Sequence, residues 1–517
     1  VTGNVYLVGF MGAGKTTVGR HLAEVLGRKF VDMDQLLEAR LGEPIAQVFR
    51  RRGEEYFRGR EAGLLRQLAR RQRLVVAAGG GAVERADNRA LMRRSGRIVH
   101  LAADLEVCRA RVAAQGPGLR PLWGEAEAVQ RLFERRRAAY DDCDLRLDAD
   151  GLGPREAARE IAARLFGEDR FPVRLGQSEC PVICTGEAPR ALAELAGGRR
   201  VALLTDRRVG RLHLDRFKDR LADPLVITLS GGERIKTLAA AERVYRQLLA
   251  GRFNRDDLFV ALGGGAVTDL GAFVAGTYKR GLNHVLVSTS LLGCVDAAVG
   301  GKAALNLDRT KNAVGCFTVP NGVVLDVAAL GTLARRQIRE GLVEAYKTGL
   351  IGSPGLAELI EEHWPALLAG DRPLLARVVS LSARTKAEVV AQDFRESGRR
   401  FVLNLGHTFG HAVESWHGYR LSHGRAVALG LLVAARLSLS RGLIQAPLAE
   451  RISGTLRRIA GRPAVPPPPE AAWEMIRQDK KIRRGRSVFV LLQDVGRPVL
   501  VEDVSPQELA AAVREVC

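Results

Sequence analysis

Nine residues near the start of the chain limit its fold more than any other stretch. Gly9-Phe10-Met11-Gly12-Ala13-Gly14-Lys15-Thr16-Thr17 follows the apolar run at 5–9 and precedes a helical pattern at 18–26. A glycine-rich turn between strand and helix lets backbone N–H groups close around phosphate oxygens, and the helix N-terminus favours the anion. The lysine then reaches the β- and γ-phosphates, while the Thr16 hydroxyl can hold Mg2+. A strand that feeds such a loop belongs to a parallel sheet flanked by helices. The alternation continues through residue 166. Residues 73–78 and 97–102 read as strands, and 155–166 as a helix with Ala158, Ile161, Ala162 and Leu165 on one stripe.

The alternation then restarts, with strands expected at 199–205, 225–229, 258–262, 283–288 and 323–326. After about residue 330 the pattern is mostly helical until 487–492, and Pro466 to Pro469 form a stiff loop ahead of a helix near Trp473. A length of 517 residues suits about three domains. The expected division is 1–166, a polar linker at 167–172, an α/β domain at 173–329, and a mostly helical domain at 330–517. No internal repeat is visible.

The charge demands an account. The chain carries 79 Lys+Arg against 58 Asp+Glu, a net +21, with 68 arginines to only 11 lysines. The excess is spread evenly, and runs such as Arg50 to Arg52 and Arg135 to Arg137 lack the interleaved aromatics of a nucleic-acid face. Compositional bias plus anionic small-molecule substrates explains it better than a nucleic-acid partner. No uncharged apolar run approaches the ~18 residues of a membrane span, and residues 1–10 show no basic leader. Seven cysteines form no C-x-x-C pair. These features lead to the expectation of a reduced, cytoplasmic enzyme.

In the first domain Asp32-Met-Asp34 ends the apolar run 29–31, which sets both carboxylates on one side of an extended segment. Beside a nucleotide, one suits Mg2+ and the other an acceptor hydroxyl; the plainer alternative is a solvated loop or a helix cap. Gly79-Gly80-Gly81 follows a strand, and Gly116-Pro-Gly-Leu-Arg120-Pro-Leu has the glycine hinges of a lid. Together with Gly53-Glu-Glu-x-Phe-Arg58-x-x-Glu61 and Arg136-x-x-x-Tyr140, these motifs resemble shikimate kinase across residues 1–166. The resemblance implies a P-loop kinase domain, a parallel sheet with helices on both faces. It implies that Gly12, Ala13, Gly14, Lys15, Thr16, Thr17, Asp32 and Arg120 take ATP and Mg2+. Asp34, Arg58, Gly80 and Arg136 would hold shikimate, with Lys15, Asp34 and Arg120 catalytic. Arg135 and Arg137 flank Arg136 and blur which arginine faces inward.

The rear of the chain pairs a nucleotide signal with a metal signal. Leu262-Gly263-Gly264-Gly265 follows a strand, Asp206 ends another and could grip a ribose hydroxyl, and Gly231-Gly232-Glu233-x-x-Lys236 adds a second loop. Four of the nine histidines lie between 407 and 423. His407 and His411 share a helical face by their i,i+4 spacing. With Glu344 upstream, the cluster suits a catalytic metal held by two histidines and a carboxylate, and His417, in a turn, reads as a bystander. Lys302, Lys311, Lys347 and Lys386 stand out in a lysine-poor chain and suit a phosphorylated substrate.

Gly263 to Asp269, Thr277-Tyr-Lys-Arg280, Ser288 to Ser290, Asp296, Gly301-Lys302, Lys311-Asn312, Glu344-Ala-Tyr-Lys347, Arg400, Asn404 to His411 and Leu421-Ser-His423 resemble 3-dehydroquinate synthase over residues 173–517. The resemblance implies that Glu344, His407 and His423 bind Zn2+ or another divalent metal such as Co2+. It assigns NAD+ to Asp206, Glu233, Lys236, Gly264, Gly265, Asp269, Thr289, Ser290, Lys302 and Lys311. The heptulosonate phosphate falls to Arg280, Asp296, Lys302, Asn312, Lys347, Lys386, Arg400, Asn404, His411 and Lys480, of which Lys302, Lys347 and His411 are catalytic. NAD+ then oxidises a ring hydroxyl transiently, phosphate leaves by elimination, the hydride returns, and ring closure follows. Thr268, Ser288, Ala297 and Ala298 depart from the family's usual residues. The resemblance also allows a homodimer through this half. Other readings are a different sugar-phosphate cyclase, a metal-dependent polyol dehydrogenase, or a half that serves only as a docking or nucleic-acid module.

Overall fold

A computed structural model describes residues 3–26, 28–113, 126–166, 168–308, 310–461, 464–478, 482–483 and 486–516. It divides into two compact units, Val1–Phe166 and Gly167–Cys517. The first holds five strands: β1 (Asn4–Val8), β2 (Lys29–Asp32), β3 (Leu74–Ala77), β4 (Gly96–Ala102) and β5 (Leu145–Asp148). All are parallel, in the order β2-β3-β1-β4-β5. β1 and β3 are buried along their whole lengths, as central strands covered by helices on both faces must be. β1 is the middle strand, so the loop after it opens at the carboxyl edge of the sheet, and the helix Lys15–Leu26 begins there.

The second unit carries β6 (Glu168–Leu175), β7 (Ser178–Thr185), β8 (Val201–Asp206), β9 (Leu225–Leu229), β10 (Leu258–Gly263), β11 (Asn283–Ser288), β12 (Lys302–Leu307), β13 (Thr310–Phe317) and β14 (Gly322–Asp326). Seven of them form one sheet, β6-β7-β14-β11-β10-β8-β9, parallel except for the β6–β7 pair. β10 shows why the run is apolar throughout. Phe259 and Ala261 enter one core cluster while Leu258, Val260 and Leu262 enter the other. β12 and β13 make a separate hairpin. Helices dominate from Arg335 onward, among them Arg335–Gly352, Arg372–Gln392, His407–Trp416 and His423–Ser440. No described helix is long and apolar enough to cross a membrane.

One expectation is corrected here. The supposed linker 167–172 is largely β6, paired residue by residue with β7 at the edge of the sheet. Polar residues disguised an alternating strand: Phe171, Val173 and Leu175 are buried, and Pro172 is tolerated because the strand is an edge. Asp169 is buried on an ion pair with Arg384 and accepts a hydrogen bond from Ser380. The helix expected near Trp473 is Pro469–Gln478.

Candidate active sites

In the first unit the phosphate loop is shaped by what packs beneath it. Gly12 has φ +84°, and a Cβ there would lie 2.6 Å from the Cys108 carbonyl oxygen. Lys15 Nζ donates to the Gly9 and Phe10 carbonyls at 2.8 and 3.0 Å, so its ammonium folds back over the loop. The Thr16 hydroxyl donates to Asp32 Oδ2 at 2.7 Å. Asp32 Oδ1 accepts from the backbone of Asp34 and Gln35 and caps the helix Met33–Leu41. Asp32 is therefore at once a helix cap and the carboxylate beside the expected Mg2+ position. The pair is not carried on one extended face: β2 stops at Asp32 and Asp34 sits in the first helical turn, because the cap ends the strand.

The triple glycine lies where the other expected residues converge. A Cβ on Gly79 would collide with Glu61 and lie 2.8 Å from Asp34 Oδ1, and one on Gly81 would collide with the Arg58 guanidinium. Tyr140 donates to the Gly80 carbonyl at 2.5 Å. Of the three consecutive arginines, Arg136 is 2% exposed, against 66% and 67% for the side chains of Arg135 and Arg137. Its Nε donates to Glu84 at 2.7 Å, while its Nη2 is buried without a hydrogen bond. Glu61 Oε1 is likewise buried and unmatched, although Oε2 accepts from Arg58 at 2.9 Å. Burial pushes the Glu61 carboxyl up, against the pull of Arg58. An unmatched donor and an unmatched acceptor around one glycine loop suit a small polyol acid. Glu61 and Glu84 had no assigned role in sequence; the i,i+3 spacing of Arg58 and Glu61 was the available signal. Arg120 lies outside the described residues.

In the second unit three helices meet at a carboxylate. Glu344, fully buried on Arg335–Gly352, faces His407 Nε2 at 3.5 Å and His423 Nε2 at 3.2 Å, both from Oε1. One ligand atom from each residue lies within 4.8 Å of the other two. The helices start at the histidines themselves, His407–Trp416 and His423–Ser440, which fixes both imidazoles against the middle of the third helix. The donors fit a divalent metal: neither Glu344 oxygen accepts a well-formed hydrogen bond, and both Nδ1 atoms are engaged elsewhere. His407 Nδ1 faces the Leu405 carbonyl at 3.3 Å and His423 Nδ1 faces Glu414 Oε1 at 3.4 Å. That arrangement turns both Nε2 lone pairs inward. Burial opposes charge on His423, yet Glu344 and Glu414 outweigh it and lift its pKa to about 10. The position attracts a cation. The His411 ring stands edge-on to His407 at 5.4 Å between centroids, and His417 turns away to the Val465 carbonyl.

Around this centre the lysines separate. Lys347 is buried with its Nζ 2.7 Å from Glu344 Oε2. Lys386 is buried against the backbone carbonyl and side chain of Asp296. Arg400, also buried, donates to the Phe394 and Gly300 carbonyls at 2.6 and 3.0 Å, and Asn404 ends the same short helical stretch, Arg399–Asn404. Lys302 pairs with Glu396, a residue at φ +59° that the sequence reading passed over. Arg280 is exposed and makes no hydrogen bond or ion pair with the described residues, so nothing ties it to the Asp296–Lys386 group. Lys480 lies outside the described residues.

The residues expected to hold the nucleotide form a second network. Lys236 Nζ donates to Asp269 Oδ2 at 2.8 Å and to Asn312 Oδ1 at 2.6 Å, with Glu233 at 3.5 Å. Asn306, unassigned in sequence, donates to Glu233 and accepts from the Asn312 backbone. Asn312 thus belongs here rather than with Asp296. Lys311, expected here, instead faces Glu414 Oε1 at 3.0 Å: Asn312 takes a left-handed φ of +51° where the β12–β13 register shifts, and the bulge separates the two side chains. Gly264 caps the helix Gly265–Thr277 with Ser290 Oγ alongside, and the Thr289 N–H donates to the Gly263 carbonyl. Asp206 Oδ1 accepts two backbone N–H bonds and caps Arg207–Lys218. The departing Thr268 is buried, its hydroxyl turned onto the Gly265 carbonyl at 3.0 Å.

Comparison with known proteins agrees with both halves. Family models match shikimate kinase at residues 11–166, the 3-dehydroquinate synthase N-terminal domain at 226–340 and its C-terminal domain at 341–482. A bifunctional shikimate kinase/3-dehydroquinate synthase of Thermotoga maritima is 33% identical over 518 residues, covering 98% of this chain and 99% of that one. A 3-dehydroquinate synthase of Halorhodospira halophila is 42% identical over 353 residues, 68% of this chain and 98% of the relative. Among solved structures, a 2-epi-5-epi-valiolone synthase from Streptomyces hygroscopicus subsp. jinggangensis with NAD+ and Zn2+ bound aligns with a TM-score of 0.60 and 25% identity, over 63% of this chain and 92% of that one. A 2-deoxy-scyllo-inosose synthase shares the fold, with a TM-score of 0.61 and 22% identity over 67% of this chain and 100% of that one. The chain belongs to the family of bifunctional shikimate kinase/3-dehydroquinate synthases.

Proposed function

We propose that the residues gathered in each unit carry the two activities of the family. In the front half, Lys15, Thr16 and Asp32 receive ATP with Mg2+. Arg58 and Arg136 pair with the shikimate carboxylate, for which forked guanidinium groups are suited. Asp34 accepts the proton of the attacking hydroxyl as the phosphoryl group transfers, and Lys15 neutralises charge on that group.

In the rear half, Glu344, His407 and His423 would hold Zn2+ or Co2+. When bound, metal and NAD+ supply Lewis-acid and hydride chemistry. The chain's own residues bind and orient 3-deoxy-D-arabino-heptulosonate 7-phosphate. Lys302, Lys386 and Arg400 balance its phosphate and carboxylate charge, and Lys347 and His411 sit where protons must move. The observation that carries this reading is the meeting of the three ligand atoms beside buried Lys347. Six free cysteines among the described residues suit the cytoplasmic location that belongs to it, and a homodimer through the rear half is checked by light scattering.

The test expresses each half separately. The front half should consume ATP only with shikimate, and the rear half should release phosphate only from the heptulosonate phosphate. Net accumulation of NADH would instead mark a polyol dehydrogenase, and turnover of a different sugar phosphate another cyclase.

A further inference from the structure

Glu414 is the buried group around the rear centre that the family resemblance leaves without a task. It is 2% exposed and lies seven residues after His407, two turns along the same helical face. Its Oε1 faces His423 Nδ1 at 3.4 Å and accepts from Lys311 Nζ at 3.0 Å. The opposite ring nitrogen of His423 points at Glu344. His423 is therefore an imidazole strung between two carboxylates, whereas His407 is backed only by the neutral carbonyl of Leu405.

We propose that Glu414 is a positioning residue for the metal centre, holding His423 as the Nδ1–H tautomer with Nε2 aimed at the ion. A carboxylate behind a ligating histidine fixes the ring's rotation and raises the basicity of its other nitrogen. Burial of that carboxylate demands a counter-charge, and Lys311, whose ammonium also stands 4.8 Å from the Tyr419 ring centre, provides it. Glu414 touches neither substrate nor cofactor and acts through His423. The inference rests on the proposal that Glu344, His407 and His423 bind a divalent metal.

The experiment strips the full-length protein of metal and measures its Co2+ affinity by competition with a chromophoric chelator. The visible spectrum of the bound ion is recorded alongside. Glu414→Gln keeps the shape and loses the charge; Glu414→Asp keeps the charge and withdraws it by one methylene. Each should weaken Co2+ binding about 10–100-fold and shift its absorption bands, while His417→Ala should change neither. Should Glu414→Gln not fold, Glu414→Asp decides the question. Wild-type affinity and an unaltered spectrum in the folded variants would overturn the role of Glu414. Failure of the wild-type protein to bind Co2+ would instead overturn the metal reading beneath it.

Discussion

Where the rear unit begins is a quantitative matter, because β6 is part of its sheet. Two forms of the rear half, one starting at Glu168 and one at Val173, differ by five residues. The shorter loses Phe171, 8% exposed in the core, whose ring lies 4.4 Å from the Arg384 guanidinium carbon. It also loses Asp169 and the Arg384 ion pair. Removing a buried phenylalanine costs about 3–5 kcal/mol. Arg384 is 42% exposed and can hydrate, so the ion pair adds only about 1 kcal/mol. The sum, about 5 kcal/mol, is comparable with the ~5–15 kcal/mol that holds a typical domain together. At about 2–3 kcal/mol per molar urea, the unfolding midpoint should fall by about 2 M. Urea titrations followed by circular dichroism provide the comparison. Equal midpoints would refute the assignment of residues 168–172 to the folded core.

Lys15→Ala should reduce shikimate phosphorylation by on the order of 10²–10³-fold and leave phosphate release by the rear half unchanged; a coupled ATPase assay beside a phosphate assay reads both. Thr268→Gly removes a buried methyl and puts glycine, a still poorer helix former than threonine, inside the helix Gly265–Thr277, so the melting curve should register about 1–2 kcal/mol of destabilisation. Its NAD+ affinity by calorimetry should stay the same, because the hydroxyl is bonded to a helix carbonyl. Burial pushes the Asp326 carboxyl up to about 6 against the pull of Arg216, above its unfolded value of about 4. The folded state therefore holds the proton more tightly, and up to about 3 kcal/mol of stability should be lost as pH rises from 4 through 6. In Asp326→Asn, urea midpoints measured across that window should vary less than in the wild type.

Local pattern determined much of this protein. The phosphate loop, the glycine turn at 263–265 and the two histidines four apart are contiguous signals, because backbone geometry and helical period act over a few residues. The alternation of apolar runs located β1, β3, β4, β9 and β11 within a residue at each end. Only the tertiary structure could decide which polar side chains meet. Glu344 is more than sixty residues from His407, and no spacing rule states that three helices converge there. Lys311 and Asn312 are neighbours in sequence yet join different networks, because a bulge with Asn312 at φ +51° interrupts their strand. Three adjacent arginines became one buried and two exposed only when their helix docked. The i,i+3 spacing from Arg58 marked Glu61 only weakly and nothing local marked Glu396, since the partner of a charge is set by what packs around it. The polar segment 167–172 read as a linker for the same reason: the residues that pair with β6, among them Arg384, arrive some two hundred positions later in the chain.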